Sequence, residues 1–177
     1  MKKIILFSCL FMSIISYAQV NTETENPEFP QDIEKKHELK INALSLLLPK
    51  WIDVSYENLI NEESSFGVAA TLNTDTSYTD LKYSLTPYYR RYFSNKFARG
   101  FFVEGFGMLF SAKDTDLFGF GSQEFKTGFA MGVSVGGKFI SKKGFSAELL
   151  LGVGRNFNDS DYNEGIARIG ISVGHRF

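Results

Sequence analysis

The chain has 177 residues with a formal net charge of −1 at pH 7, and this length suits one domain of ordinary size. A nearly neutral chain offers no strongly basic surface, so nucleic acid is not an expected partner. The 18 Phe, 16 Gly and 8 Tyr favour a β-rich architecture over a helical one. After residue 18 no apolar run is long enough for a membrane-spanning helix, so the sequence does not predict a helical membrane protein.

Residues 1–18 have the pattern of a secretory signal peptide. Two lysines precede an apolar run at 4–15, and small residues up to Ala18 supply a cleavage site. The single cysteine of the chain, Cys9, lies inside this segment. We therefore expect an exported mature chain without a disulfide.

Residues 19–38 contain two prolines, many acids and amides and little apolar material, which predicts a flexible periplasmic leader. From Leu39 onward apolar residues alternate with small or polar ones. Successive side chains of a strand point to opposite faces, so this period of two indicates β-strands over the domain 39–177. The predicted strands are 39–48, 51–60, 65–73, 81–93, 101–112, 125–140, 145–154 and 167–177.

Two of these segments are irregular. Pro87 lies within 81–93 and would remove a hydrogen-bond donor from the sheet, so we expect a β-bulge there. In 101–112, Glu104 shares one face with Phe102, Phe106, Met108 and Phe110. The sequence leaves open which face of this strand is outside.

The faces opposite the apolar side chains consist mainly of Gly, Ser and Ala, whereas a surface in water would be densely charged. Small residues fit the narrow interior of a closed eight-stranded barrel. Hydrocarbon cannot satisfy an open sheet edge, so strands that face lipid must close. We therefore predict an all-β, closed antiparallel eight-stranded transmembrane β-barrel with up-and-down topology. Aromatic residues are expected at its rims, with Phe66, Phe101, Phe139, Phe145 and Phe177 at one and Phe125 and Phe157 at the other.

Charged residues of both signs fall on the small-residue faces. In a narrow lumen they are expected to pair, which offsets part of their desolvation cost. A structural role is the favoured interpretation, and a conducting path is the alternative. The predicted lumen-facing charges are Lys40, Asp53, Glu57, Lys82, Arg90, Glu104, Lys126, Lys138, Glu148, Arg168 and Arg176.

The C-terminal run resembles the outer-membrane targeting signal, with alternating apolar residues Ile171 and Val173 and a terminal aromatic, Phe177. Segments 85–93 (LTPYYRRYF) and 101–107 (FFVEGFG) are similar to those of small outer-membrane barrels typical of Bacteroidetes, a group that includes a domain family of unknown function. This resemblance implies the outer membrane of a Gram-negative bacterium, with lipid and the barrel-assembly machinery as partners. It implies no catalytic residues and leaves any surface partner open.

Catalytic and metal-binding patterns are weak. The histidines are His37, in the predicted leader, and His175, on the apolar face of the last strand, so neither is expected to serve as a general base. The segment 159–163 (DSDYN) resembles the first ligands of a calcium loop. However, Glu164 stands where the turn glycine belongs and Gly170 where the closing glutamate belongs. We expect no cofactor, no metal and no enzymatic activity.

The sequence therefore predicts a non-enzymatic outer-membrane protein with a structural or surface-interaction role through its outer loops. The alternative is a narrow pore or small-solute binder that uses the charged lumen, and a lipid-modifying barrel enzyme ranks below both. The predicted outer loops are 49–50, 73–80, 113–124 and 158–165, and the predicted periplasmic turns are 61–64, 94–100 and 141–144.

Overall fold

The computed structural model describes residues 35–48, 50–74, 81–94, 96–115, 121–157 and 165–177. The predicted signal peptide lies outside the described residues, as do most of the predicted leader and the calcium-like segment 159–163.

Eight antiparallel strands close into a barrel in which each strand pairs with its neighbours in sequence and the first pairs with the last. This confirms the predicted all-β fold with up-and-down topology. The strands are β1 (His37–Asn42), β2 (Trp51–Leu59), β3 (Ser64–Asn73), β4 (Leu81–Tyr92), β5 (Gly100–Thr115), β6 (Gly121–Ile140), β7 (Phe145–Asn156) and β8 (Gly165–Arg176).

The barrel has two ends that differ in their connections. The turn end carries the start of β1, the end of β8 and the connections 60–63, 93–99 and 141–144. The loop end carries the connections 43–50, 74–80, 116–120 and 157–164. β5 and β6 extend beyond their predicted bounds, so the connection predicted at 113–124 narrows to 116–120.

Side chains alternate between the interior and the outer surface along each strand. On β8, Ile169, Ile171 and Val173 are exposed, whereas Gly170 and Arg176 are buried. This alternation follows the period of two in the sequence. The face of β5 that carries Glu104 points inward and the face that carries Phe101 and Val103 points outward, which answers the question that the sequence left open.

The interior is therefore not lined by small residues alone, because three phenylalanines of β5 occupy it opposite three glycines of β6. The pairs are Phe102 with Gly136, Phe106 with Gly132 and Phe110 with Gly128. A Cβ atom at Gly132 would lie 2.5 Å from the Cζ atom of Phe106, and one at Gly128 would lie 2.5 Å from the Cζ atom of Phe110. The glycines on β6 thus provide the space that the β5 rings fill.

The first predicted strand is shorter than expected. The prediction of a strand over 39–48 is wrong after Asn42, where the helix α1 (Ala43–Leu47) begins. Asn42 caps this helix, since its side chain accepts a hydrogen bond from the backbone N–H of Ser45 at 3.4 Å. Within the described part of the chain, no helix has the length and apolar character needed to cross a membrane.

The predicted bulge at Pro87 is also wrong. Pro87 pairs with Val68 in β3, and the pairing of β4 with β5 keeps one register from Leu85 to Tyr88 on either side of it. The ladder with β5 omits Pro87, so the strand tolerates the missing donor without an extra residue. The register shift lies between Leu81 and Tyr83 instead.

Candidate functional site

Most of the predicted lumen charges lie inside the barrel. Those that are buried or line the interior are Lys40, Asp53, Glu57, Arg90, Glu104, Lys138, Glu148, Arg168 and Arg176. Two others do not. The register shift beside Lys82 leaves it exposed on the surface, with its Nζ atom 5.1 Å from the centre of the Phe125 ring. Lys126 is exposed near the loop end.

Glu57 is the centre of the interior ion network. Its carboxylate lies 2.6 Å from the Nζ atom of Lys40, 2.8 Å from that of Lys138 and 2.9 Å from a guanidinium nitrogen of Arg90. The hydroxyls of Ser65 and Tyr92 also donate to it, each at 2.6 Å. A carboxylate that is fully buried is stable only when its oxygens are satisfied in this way.

A second glutamate shares the same cations from the opposite part of the wall. Arg90 donates to both oxygens of Glu148, at 2.7 Å and 2.8 Å, which is the two-pronged geometry that suits a guanidinium and a carboxylate. Lys40 donates to Glu148 at 2.8 Å. Because β1, β2, β4 and β7 supply these groups, the network joins strands that are not neighbours in the sheet.

The network continues towards the loop end through Glu104. It accepts from the Nε atom of Arg90 at 2.7 Å, from Arg168 at 2.6 Å and from the Ser134 hydroxyl at 3.0 Å. The Arg168 guanidinium also lies 4.5 Å from the centre of the Phe106 ring, a distance that suits a cation–π contact. Interior cations are thus in contact with aromatic rings as well as with carboxylates.

The turn end is closed by side chains above the network. The connection between β4 and β5 places Ala98 inside, where it is fully buried and packs with Leu59 and Phe102. Arg176 donates to the carbonyl oxygen of Ala98 at 3.0 Å. The interior is therefore filled from this closure to the ion network.

The loop end holds a cavity of about 350 Å³. Its floor is formed by members of the network, Arg90 and Glu148. The cavity extends to Leu81 and Asn156 at strand ends and to Ala112 near the end of β5. Hydroxyl and amide groups make up much of its wall, together with a few large side chains. The polar lining includes Asn42, Ser45, Asp53, Ser55, Thr71, Ser84, Thr86, Arg168 and Ser172, and the large apolar or aromatic lining includes Trp51, Tyr88, Met108 and Phe110.

Several interior residues were missed by the sequence analysis. Glu38 is fully buried and lies 3.3 Å from Lys138, although its sequence surroundings predicted leader. The sequence predicts a strand at Tyr92 but no role for its side chain, and in the structure the Tyr92 hydroxyl donates a hydrogen bond to Glu57. The parity of β4, which places Tyr92 on the face of Arg90, was the signal available for it.

The two histidines lie away from the network. The Nδ1 atom of His37 lies 2.7 Å from the Tyr56 hydroxyl near the turn end, and the His175 ring lies 5.0 Å from the Phe145 ring on the outer face. In the described ranges, no group of three or more His, Cys, Asp or Glu side chains is arranged to hold a metal ion.

Comparison with known proteins gives one family match. A family model described as "Protein of unknown function (DUF3575)" matches residues 5–176 of the chain. No curated protein and no solved structure matches the chain.

Proposed function

The chain belongs to the DUF3575 family, whose description leaves the activity open, and we propose that it is a non-enzymatic, non-conducting β-barrel of the outer membrane of a Gram-negative bacterium. Its role in this proposal is structural, or an interaction at the cell surface through the loop end. The Bacteroidetes-type resemblance of 85–93 and 101–107 supports the same location.

One observation carries this proposal: the polarity of the barrel is the inverse of that of a soluble protein. Its fully buried side chains include Glu38, Glu57, Glu104 and Arg176, and charged residues are rarely fully buried in water-soluble domains. Large apolar side chains are exposed on every strand, among them Ile41, Ile52, Leu72, Leu85, Val103, Val133, Leu151 and Ile171. An exterior on which every strand exposes large apolar side chains suits hydrocarbon.

Aromatic residues support the same interpretation. At the turn end Phe66, Phe101 and Phe139 are exposed outward, and at the loop end Phe157 is exposed as well. Outer-membrane barrels carry such aromatic girdles at both interfaces. With the turn end in the periplasm, the predicted signal peptide and the C-terminal Ile171, Val173 and Phe177 suit export and then recognition by the barrel-assembly machinery.

The first test is heat modifiability. We expect the protein folded in detergent to resist SDS and to migrate as a compact species until it is boiled, because the closed barrel protects its backbone hydrogen bonds. Detergent phase partitioning of the same sample should place the protein in the detergent phase. Identical migration with and without boiling, together with recovery in the aqueous phase, would reject the proposal.

The two alternatives, a narrow pore and a small-solute binder, require different interiors. A pore needs a continuous path through the barrel, whereas a binder needs a cavity. The ion network and the Ala98 closure fill the turn-end half, which argues against a continuous path, whereas the cavity at the loop end favours binding. In planar lipid bilayers we expect no stepwise current from the purified protein. Reproducible unitary steps would instead support the pore.

A further inference from the structure

Most of the polar side chains that line the cavity at the loop end are neutral groups that form hydrogen bonds. Hydroxyls of Ser55, Thr71, Ser84, Thr86 and Ser172 belong to strands around its wall. Trp51 and Phe110 contribute aromatic surface to the same cavity. Ligand pockets combine apolar and aromatic surface with a few well-placed polar groups in this way, and their volumes start at about 300 Å³.

The charges at the floor of the cavity are paired with one another. Arg90 lies 2.7 Å from Glu148 and 2.7 Å from Glu104, and Arg168 lies 2.6 Å from Glu104. A ligand with a net charge would disturb these ion pairs and would also lose its own hydration, which is costly for an ion. A neutral ligand avoids both costs, provided that its polar groups find partners.

Among the described residues that line the cavity, Asp53 is the carboxylate that lies outside the ion network. One of its oxygens, Oδ2, accepts from the Asn42 amide at 3.0 Å and from the Ser45 hydroxyl at 3.5 Å. Among the described residues, no lysine or arginine forms a salt bridge with Asp53, unlike the glutamates of the network. Its Oδ1 atom is therefore suited to accept a hydrogen bond from a ligand hydroxyl, and a bond to a charged acceptor is stronger than one between neutral groups.

From these features we propose that the loop-end cavity binds a neutral, polyhydroxylated ligand of about the size of a hexose. Asp53 accepts hydrogen bonds from its hydroxyls, the wall serines and threonines bind the remaining ones, and the apolar face of the sugar ring packs on the aromatic surface. The ligand is either a free saccharide or the end of a longer glycan that enters at the loop end. This inference deepens the solute-binding candidate and does not depend on whether the barrel conducts.

Trp51 provides the measurement, because it is the one tryptophan of the chain and lines the cavity. Its fluorescence should change saturably when the protein, folded in detergent or lipid nanodiscs, is titrated with one of the neutral hexoses glucose, galactose and mannose. The charged relatives glucosamine and glucuronate have nearly the same size and should bind more weakly than the neutral hexose. These sugars do not partition into micelles, so the signal reports the cavity.

The variant Asp53→Asn keeps the shape of the side chain and removes its charge. We expect neutral-hexose binding to weaken about ten- to a hundredfold, since a hydrogen bond to a charged acceptor becomes a neutral one. The variant should also shift its relative preference towards glucuronate, because the substitution removes a negative charge from the cavity wall. Thr71→Val is a second variant that removes one wall hydroxyl at nearly constant volume, and Glu63→Gln, which is exposed at the turn end, is the unaffected control.

The proposal is overturned if none of the three hexoses gives a saturable change, if either charged sugar binds more tightly than the neutral one, or if Asp53→Asn binds like the wild type. Maltotriose distinguishes the two sources of the ligand when glucose binds. Binding as tight as that of glucose indicates a glycan end, and exclusion of maltotriose indicates a free saccharide. A variant or wild-type sample enters the titration only after it shows the heat-dependent shift, so failure of the membrane-barrel proposal is recognised separately.

Discussion

Glu57 lies where three cations and three hydroxyls converge inside the barrel, so its charge is the single most consequential one in the network. Replacing it by Gln retains the shape and leaves Lys40, Lys138 and Arg90 with one fewer anion. Removing one partner of a buried ion pair costs about 3–5 kcal/mol. We expect Glu57→Gln to lower the free energy of unfolding by that amount, measured by urea titration in lipid vesicles.

The matched control is Glu63→Gln. Glu63 pairs with Arg91 at 2.5 Å, but both side chains are more than half exposed, at 58% and 59%. Exposed ion pairs contribute at most about 1 kcal/mol, because water and salt screen them. Equal destabilisation by the two variants would mean that the interior network does not stabilise the barrel.

The positions of most interior charges follow from strand parity alone, which is why the sequence predicts residues such as Glu148 and Lys138 correctly as inward-facing. Lys82 is the instructive exception, because one extra residue at the Leu81/Tyr83 register shift moves it to the surface. The sequence does not predict which residues each charged side chain contacts. They depend on side chains that reach across the barrel, as Lys138 reaches Glu57 from a sequence separation of 81 residues.

At the level of the strands, β5 and β6 are fitted to each other by phenylalanine rings packed over glycines. The three atoms nearest to a Cβ atom at Gly128 would all belong to the Phe110 ring, at distances from 2.5 to 3.0 Å. We expect Gly128→Ala to destabilise the barrel by about 1–3 kcal/mol, as overpacking does elsewhere. Thermal or urea unfolding in the same lipid would measure the loss.

Gly105→Ala on the outer face of β5 is the comparison, since a Cβ atom added at Gly105 would have no neighbour within 4 Å, and this change should be close to neutral. Combining Gly128→Ala with Phe110→Leu should cost less than the sum of the two single changes, because the smaller side chain leaves room for the new methyl group. Strict additivity would show that ring and glycine are not coupled.

The strands themselves are readable from the sequence, whereas their departures from regularity are only partly so. Helix α1 interrupts the alternation at Ala43–Leu47, and an asparagine before a run of Ala and Leu is a recognisable helix start. The register shift near Leu81 has no comparable signal, and Pro87 is a misleading one. Proline suggests a bulge only if its missing donor cannot be accommodated by the ladder.

For the whole molecule, the proposal that the apolar exterior faces hydrocarbon predicts a depth-dependent cost of charge. Val133 is 58% exposed near the middle of β6, and Val133→Arg should destabilise the barrel in lipid by about 2–4 kcal/mol if the site lies at the bilayer midplane. Ile60→Arg, just beyond β2 at the turn end, should cost about 1 kcal/mol or less, as expected near an interface. A barrel surrounded by water would tolerate both changes.

The inside-out polarity is the property of the whole molecule that the sequence indicates best, because the small-residue faces lack the dense charge of a soluble surface. What composition does not predict is how the interior is divided. The filled turn end and the cavity at the loop end arise from where Ala98, Phe102 and the ion network meet, which only the closed barrel determines.

Quenching by brominated lipid tails tests this polarity most directly, because bromine quenches tryptophan only at close contact. A Val133→Trp variant in a Trp51→Phe background reports the outer face, and the wild type, with Trp51, reports the interior. In vesicles of dibrominated phosphatidylcholine we expect strong quenching of the tryptophan at position 133 and little quenching of Trp51. An unquenched tryptophan at position 133, in protein that remains in the aqueous phase, would contradict it.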